Sequence, residues 1–313
     1  MFGYFWNAEL VHRRVGVTCP EVPDRCRVLA PQEVFGSANG IQVGSFRSRD
    51  DSLLSLAHDA AYIAEVRNAH SWGRRYLDAG DTLVTPNVFE QSLLAASAGC
   101  EALDQIMNGR LASAFCAIRP PGHHANPRRA MGFCVFNNAA VAARYAQSHY
   151  GAGRILIVDW DVHPGNGTQE VFWNDPSVFT LSFHQADLFP ESGRSDLVGE
   201  GAGKGFSRNV PLPPGTGRCE YLKVFEPVVT GVARAFQPEL LLISAGFDAH
   251  ARDPAARMEL TEEDFGRMTE IVLWATRPFT RGKTLSLLEG GYNPSALRDC
   301  VAAHCRALAT LSA

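Results

Sequence analysis

Residues 154–169 read RILIVDWDVHPGNGTQ: an apolar run, then Asp159, Asp161 and His163, then a Gly-Asn-Gly turn. An apolar run without alternation fits a strand covered on both faces, as in a parallel sheet flanked by helices. Carboxylates do not belong in such a core, so the strand ends where the acids begin and carries them at its tip. Similar runs occur at 113–118 (SAFCAI), 177–183 (SVFTLSF), 239–244 (ELLLIS) and 283–288 (KTLSLL). Helix signals lie between them. One covers 87–108 and stops at Gly109; another covers 137–149, opening with Asn137-Asn138 and ending before Gly151. A third covers 261–276 from the capping pattern TEED, and a fourth covers 294–310 with Asn293 as N-cap and Pro294 at the first helical position. A helix is also expected around 51–69, while the rest of the first 80 residues shows no clear pattern. The alternation predicts an α/β fold: residues 1–313 as one domain, with an open, mostly parallel sheet and helices on both faces.

Four of these strands are followed by polar clusters: RPPGHHA (119–125), WDVHPGNG (160–167), AGFDAH (245–250) and EGGYN (289–293). In an open parallel sheet the carboxyl ends share one edge, where ligands bind, so His123, His124, Asp161, His163, Asp248 and Tyr292 should converge. Asp161 and His163 alternate along extended backbone and share a side, and Asp248 can join them from another tip. One imidazole and two carboxylates suit zinc or another borderline divalent ion, with positions left open as catalysis requires. His123 and His124 follow a stiff Pro-Pro-Gly turn, and Asp159 and Asn166 can accept their other ring N–H groups. A histidine pair beside such a site supplies a general base and a general acid. Tyr292 follows Gly290 and Gly291, whose small size suits close backbone approach, and its hydroxyl can donate to a developing oxyanion.

The composition narrows the function classes. The chain has 313 residues, 46% of them hydrophobic, and a formal charge of −4. Its arginine pairs are scattered rather than striped, so no nucleic-acid partner is expected. Eight cysteines form no Cys-x-x-Cys pair, and several sit in apolar stretches, as reduced thiols do, which points to the cytoplasm. The opening MFGYFWNAELVHRR lacks the basic and apolar regions of a signal peptide. No run of about 18 uncharged apolar residues predicts a membrane span, so no membrane partner is expected. Self-association into a homo-oligomer is left open.

The quoted clusters, with MGFCVFNNAAVAA (131–143), LSFH (181–184) and NVPLPPGTG (209–217), stand in an order that resembles the zinc-dependent histone deacetylases. The likeness is to the class II type and its bacterial deacetylase-like amidohydrolases, over roughly residues 45–310. The resemblance implies an arginase/deacetylase-like fold and hydrolysis of N-acylated lysine in a peptide or protein, or of a small N-acyl amine such as an acetylpolyamine. It implies one zinc ion, with Fe2+ as the other candidate, on Asp161, His163 and Asp248. His123 and His124 become the acid/base pair and Tyr292 the residue that polarises the carbonyl. Phe133 and Phe189 match the aromatics flanking the acyl-lysine tunnel, and Asp81 matches the rim aspartate. Structural potassium is implied at Asp159, Asp161, His163, Ser182 and Phe183, with a second site around Phe172, Asp175 and Val178. In class II relatives the residue seven positions after the third metal ligand stands at the tunnel mouth, glutamate in polyamine-selective members; here it is Ala255, with Asp81 and Asp253 as other acids near the rim that could create a cation preference. The family pattern has two histidines before Gly-Asn-Gly, whereas this chain has His163-Pro164, so the loop geometry there is in question. Two other readings fit these residues less well. A binuclear manganese ureohydrolase needs bridging acids that Asp161-Val-His163-Pro-Gly165 and Asp248-Ala-His250 lack. A catalytically silent acyl-lysine binding module would be expected to have lost a ligand or the tyrosine.

Overall fold

The computed structural model describes residues 1–11, 19–36 and 41–311. Eight strands form one sheet: β1 (Phe2–Phe5), β2 (Gln42–Gly44), β3 (Ser113–Cys116), β4 (Ile155–Asp159), β5 (Val178–Gln185), β6 (Ser207–Leu212), β7 (Leu240–Ala245) and β8 (Thr284–Leu288). Their order is β2-β1-β3-β8-β7-β4-β5-β6, and every neighbouring pair is parallel. The five apolar runs are five of these strands, and all residues of β3, β4, β7 and β8 are buried. Three strands escaped the sequence pattern for physical reasons. β1 (FGYF) and β2 (QVG) are too short for a periodic signal. β6 (SRNVPL) is an edge strand with Pro211 in it, a position where a missing N–H is tolerated.

The helices are α1 (Asp24–Arg27), α2 (Pro31–Phe35), α3 (Ala60–Asn68), α4 (Val88–Met107), α5 (Asn138–Tyr150), α6 (Asn166–Val171), α7 (Arg218–Phe236), α8 (Glu262–Thr280) and α9 (Pro294–Leu311). They cover both faces of the sheet. In β8, Leu285 and Leu287 pack against Gly99 of α4, which also meets Ala142 of α5, while the intervening Ser286 bonds His304 of α9 at 2.8 Å. The capping signals correspond to real caps. The Asn137 side chain accepts from Ala140 N at 2.9 Å, Asn293 accepts from Ala296 N at 3.1 Å, and Gly109 takes a positive φ of 73°. α7 was missed because Pro227 and Gly231 interrupt an otherwise amphipathic series through Tyr221, Phe225, Val229, Val232 and Phe236.

The helix expected over 51–69 is split into a 3-10 turn (Asp51–Leu56) and α3. The break holds His58, which is buried and bridges two backbone segments. Its Nδ1 faces Asn126 O at 3.0 Å, and its Nε2 accepts from Asn137 N at 2.9 Å, which fixes the neutral tautomer. Burial depresses this imidazole to about 4.

The N-terminal stretch is tied to the end of β3 by an ion pair that is almost fully excluded from water. Arg119 is bidentate to Glu21, both bonds at 2.6 Å, and also donates to Leu10 O at 3.0 Å. Removing one partner of a buried pair strands the other charge, a loss of about 3–5 kcal/mol. Glu21→Ala should lose stability on that scale in a denaturant melt, and Glu21→Gln less. A loss below about 1 kcal/mol in the alanine variant would mean that the pair does not tie the terminus to the sheet.

Candidate metal and hydrolytic site

The acids at the tips of β4 and β7 are fixed by main-chain donors before any ligand is considered. Asp159 Oδ1 accepts from Asp161 N at 3.0 Å, and Asp161 Oδ1 accepts from His163 N at 2.9 Å. Asp161 Oδ2 accepts from Gly290 N at 2.7 Å, and Asp248 Oδ1 accepts from Val162 N at 2.9 Å. Pro164 is not among these donors, so its lack of an N–H leaves the arrangement intact. Gly290 lies so close that an added Cβ would fall 2.1 Å from Asp248 Oδ2 and 2.5 Å from Asp161 Oδ2. The close backbone approach expected of that glycine is therefore forced by the acids themselves.

One atom of this cluster is left over. Asp248 Oδ2 is buried without a hydrogen-bond partner. It lies 3.2 Å from His163 Nδ1, but that nitrogen already bonds Asp161 Oδ1 at 2.9 Å. Asp161, His163 and Asp248 each offer a ligand atom, all within 4.8 Å of one another. Burial opposes charge on His163, yet the hydrogen bond to Asp161 and the Asp248 carboxylate 3.2 Å away outweigh it and lift the imidazole to about 10. Burial, followed by the charge of Asp161, lifts Asp248 to about 7. The pocket thus competes for positive charge, and a divalent cation fits its donor set of two oxygens and one nitrogen.

The two other histidines adopt opposite electrical characters. His123 Nδ1 faces Asp159 Oδ2 at 3.0 Å; burial disfavours its charge, but Asp161 and Asp159 together push it well above the ordinary imidazole range. His124 Nδ1 donates to Asn166 Oδ1 at 2.7 Å, and Asn166 is oriented by its amide against Met131 Sδ at 3.4 Å. Burial, then the charges of His123 and His163, push His124 well below that range. A neutral His124 with its proton on Nδ1 leaves Nε2 bare as an acceptor.

His124 and His163 border a cavity of about 330 Å³ that is also lined by Phe133, Phe189, Asp81, Ala255 and Tyr292. Phe189 meets the His124 ring edge-on at 5.3 Å, and Phe133 meets Tyr292 at 5.8 Å. Gly291 takes φ 121°, and its carbonyl accepts from Arg25 Nε at 2.6 Å. The Arg25 guanidinium also lies 4.9 Å from the centre of the Tyr292 ring.

The remaining implied residues are placed less directly. Asp159 and Ser182 are register partners across β4 and β5, and Ser182 Oγ bonds His184 Nδ1 at 2.8 Å; Phe183 is buried beside them. At the second implied potassium site the Asp175 carboxylate is held by Arg144 at 2.5 Å, and the same guanidinium lies over the Phe172 ring at 4.7 Å; Val178 is buried at the start of β5. His250 pairs with Glu262 at 3.2 Å and accepts from Arg252 N at 3.0 Å, so it is committed outside the ligand cluster.

Sequence reasoning missed two organisers of the cavity. Asp253 is buried and accepts from Tyr292 N at 2.6 Å, Asn293 N at 3.0 Å and Ala255 N at 3.0 Å. Asp78 accepts from the N–H groups of Gly80, Asp81 and Thr82, and Thr82 Oγ1 in turn accepts from Phe133 N at 3.1 Å. The Asp-x-Gly-Asp-Thr pattern of an Asx turn was the available signal for Asp78.

Comparison with known proteins is consistent with this geometry. Residues 19–308 match the model of the histone deacetylase domain. The chain is 36% identical to a histone deacetylase-like amidohydrolase of Pseudomonas aeruginosa over 283 residues, 90% of this chain and 73% of that protein. It is 37% identical to the polyamine deacetylase HDAC10 of Homo sapiens over 268 residues, 82% of this chain but 40% of that protein. The crystal structure of the HDA15 HD domain superposes with a TM-score of 0.91 at 34% identity, covering 99% of this chain and 89% of the other.

Proposed function

The chain belongs to the histone deacetylase family, and we propose that residues 1–313 act as one catalytic domain that uses a single divalent cation on Asp161, His163 and Asp248. It is a hydrolase of acyl amides, acting by this proposal on N-acetylated lysine side chains or related N-acyl amines. The buried Asp248 Oδ2, without a hydrogen-bond partner and set against His163 and Asp161, is the observation that carries the reading. Zinc suits this donor set, with iron(II) as the other candidate. When bound, such an ion polarises a carbonyl and acidifies water.

The chain's own groups account for the rest. Neutral His124 takes a proton from the attacking water on its bare Nε2 and returns it to the leaving amine, while Asn166 holds the tautomer. His123, paired with Asp159, keeps its proton and supplies positive charge beside the site. Tyr292 donates to the carbonyl oxygen as it becomes an oxyanion, its backbone held by Asp253. Phe133 and Phe189 are the walls for an aliphatic linker, and Asp81 at the rim accepts from substrate backbone N–H groups. Potassium at the Asp159–Ser182 register, with a second ion near Phe172, is carried by family likeness alone. Eight free cysteines, six of them buried, support a reducing compartment such as the cytoplasm. Among the described residues no helix is long and apolar enough to cross a membrane.

Polyamine deacetylation is the second reading, favoured by the human relative's name. The mouth argues for a different preference. Ala255 lines the cavity and offers no carboxylate, and nearby Asp253 is committed to three main-chain donors. Among the described residues Asp81 remains as the acid that lines the cavity.

Three outcomes are expected. Asp161→Ala should lose bound zinc and turnover together, by metal analysis and a deacetylation assay; stoichiometric zinc with full rate in that variant would sink the ligand assignment. Tyr292→Phe should lower kcat by about 10²–10³ with KM little changed, whereas a raised KM at constant kcat would make the tyrosine a binding residue only. The native protein should prefer an acetyl-lysine peptide to acetylspermidine in kcat/KM, and Ala255→Glu should shift the ratio toward the polyamine. A native preference for the polyamine by tenfold, about 1.4 kcal/mol, would show that selection comes from elsewhere on the rim.

A further inference from the structure

We infer that Glu289 is a positioning residue for His123, holding the peptide of that histidine through two accepted hydrogen bonds. The inference rests on the hydrolase reading above and begins with the sheet order. His123 leaves the end of β3, yet its ring meets Asp159 at the end of β4, and β8 and β7 lie between those strands. Residues 119–124 must therefore cross the tips of two intervening strands. A segment running across a sheet end has no ladder partners, so its buried N–H groups need other acceptors.

Glu289, the first residue after β8, supplies one. Its Oε2 accepts from Gly122 N at 2.6 Å and from His123 N at 3.1 Å. On the other side of the same residue, His123 O accepts from Gly167 N at 3.0 Å and Thr168 N at 3.1 Å, at the start of α6. The main chain of His123 is thus clamped from both sides while Asp159 fixes its ring. Glu289 is itself immobilised: its N–H donates to Ala245 O at 3.0 Å, and its carbonyl accepts from Arg25 Nη2. Gly122 completes the fit, since an added Cβ would stand 2.5 Å from Asn138 N.

Two buried N–H groups call for an acceptor here, but not for one as costly to bury as a carboxyl group. Glu289 is fully buried, its Oε1 has no hydrogen-bond partner, and it stands among His123 and Cys134. An apolar residue would leave Gly122 N and His123 N without this acceptor, while the buried, half-satisfied acid carries a cost of its own. What the acid contributes is one oxygen that serves two consecutive N–H groups and so sets where the imidazole stands.

The test compares the zinc-loaded native chain with Glu289→Ala and Glu289→Gln. Glutamine keeps an acceptor oxygen for both N–H groups, and alanine keeps none. Glu289→Ala should lower kcat by about 10–100-fold, the range seen for residues that orient functional groups at metal sites, with KM within about twofold and zinc content unchanged. Glu289→Gln should recover most of the rate. In proton NMR without substrate, the His123 Nδ1–H resonance, held downfield by Asp159, should broaden in the alanine variant and return in the glutamine variant. Full kcat and an unchanged resonance in Glu289→Ala would overturn the assignment. So would a Gln variant as impaired as the Ala variant, because charge rather than the two accepted bonds would then matter. If Glu289→Ala does not fold or loses zinc, the Gln variant and its resonance decide. Native protein that turns over no acyl amide would count against the hydrolase reading, whereas the resonance judges the placement of His123 independently.

Discussion

Carboxylates crowded at the end of a hydrophobic sheet are the constraint on which the rest of this structure depends. Asp159, Asp161 and Asp248 are nearly inaccessible to water, and uncompensated burial of even one such charge is unfavourable. Each compensating group therefore has a fixed place. Main-chain N–H groups of Asp161, Val162, His163 and Gly290 take four of the carboxylate oxygen contacts, and the imidazoles of His123 and His163 face the others. What is left is a concave set of oxygens and one nitrogen with negative charge to spare. Affinity for a cation is thus a by-product of how the strands end, and the same crowding explains why residue 290 has no side chain.

The sheet order turns that local demand into a division of labour. Tips of β4 and β7 are neighbours and supply the ligand cluster, while β3 and β8 bring the histidine pair and the tyrosine from the other side. These parts carry different signs, so their separation has electrostatic consequences. His123 sits beside Asp159 and is held positive, whereas His124, one residue on, faces an uncharged amide and the two other imidazoles and is held neutral. Adjacent residues of identical chemistry thus acquire two different characters, a neutral imidazole able to accept and return a proton and a charged one that supplies a fixed positive field. The N-terminal stretch, irregular in sequence, supplies the counterweight: Arg119 and Glu21 anchor it, and Arg25 then reaches the carbonyls of Glu289 and Gly291 beneath Tyr292.

Much of this was legible in the sequence because buried parallel strands leave unbroken apolar runs and active acids must follow them. The five central strands, the caps at Asn137 and Asn293 and the convergence of His123, Asp161, Asp248 and Tyr292 all follow from that rule. The sheet is fully parallel where a mostly parallel one was expected. The edges were illegible for the complementary reason: β1, β2 and β6 are short or half-exposed, and α7 contains a proline that its neighbours tolerate. Asp253 is the instructive miss. By sequence it was an acid near the mouth, free to attract a cation, but beside the local donor Ala255 N it gains Tyr292 N and Asn293 N only after β7 and β8 are brought side by side.

That reassignment changes how the mouth can select. With Asp253 turned inward, the acid at the cavity rim among the described residues is Asp81, set on a loop that Asp78 organises through three N–H groups. The same loop fixes a wall, since Thr82 accepts from Phe133 N and Phe133 is held at φ 68°, a conformation a bulky residue keeps only when its surroundings impose it. Rim and wall are therefore one unit. A substrate whose backbone engages Asp81 is aligned with the aromatic wall by the same contact, whereas a small amine without a backbone gains only the wall. An exposed ion pair at Asp81 would contribute about 0.2–1 kcal/mol, less than a well-made amide contact that also aligns the chain. Under the proposed function the entrance would favour substrates that extend beyond the acylated side chain, with discrimination resting on alignment at the rim rather than on charge.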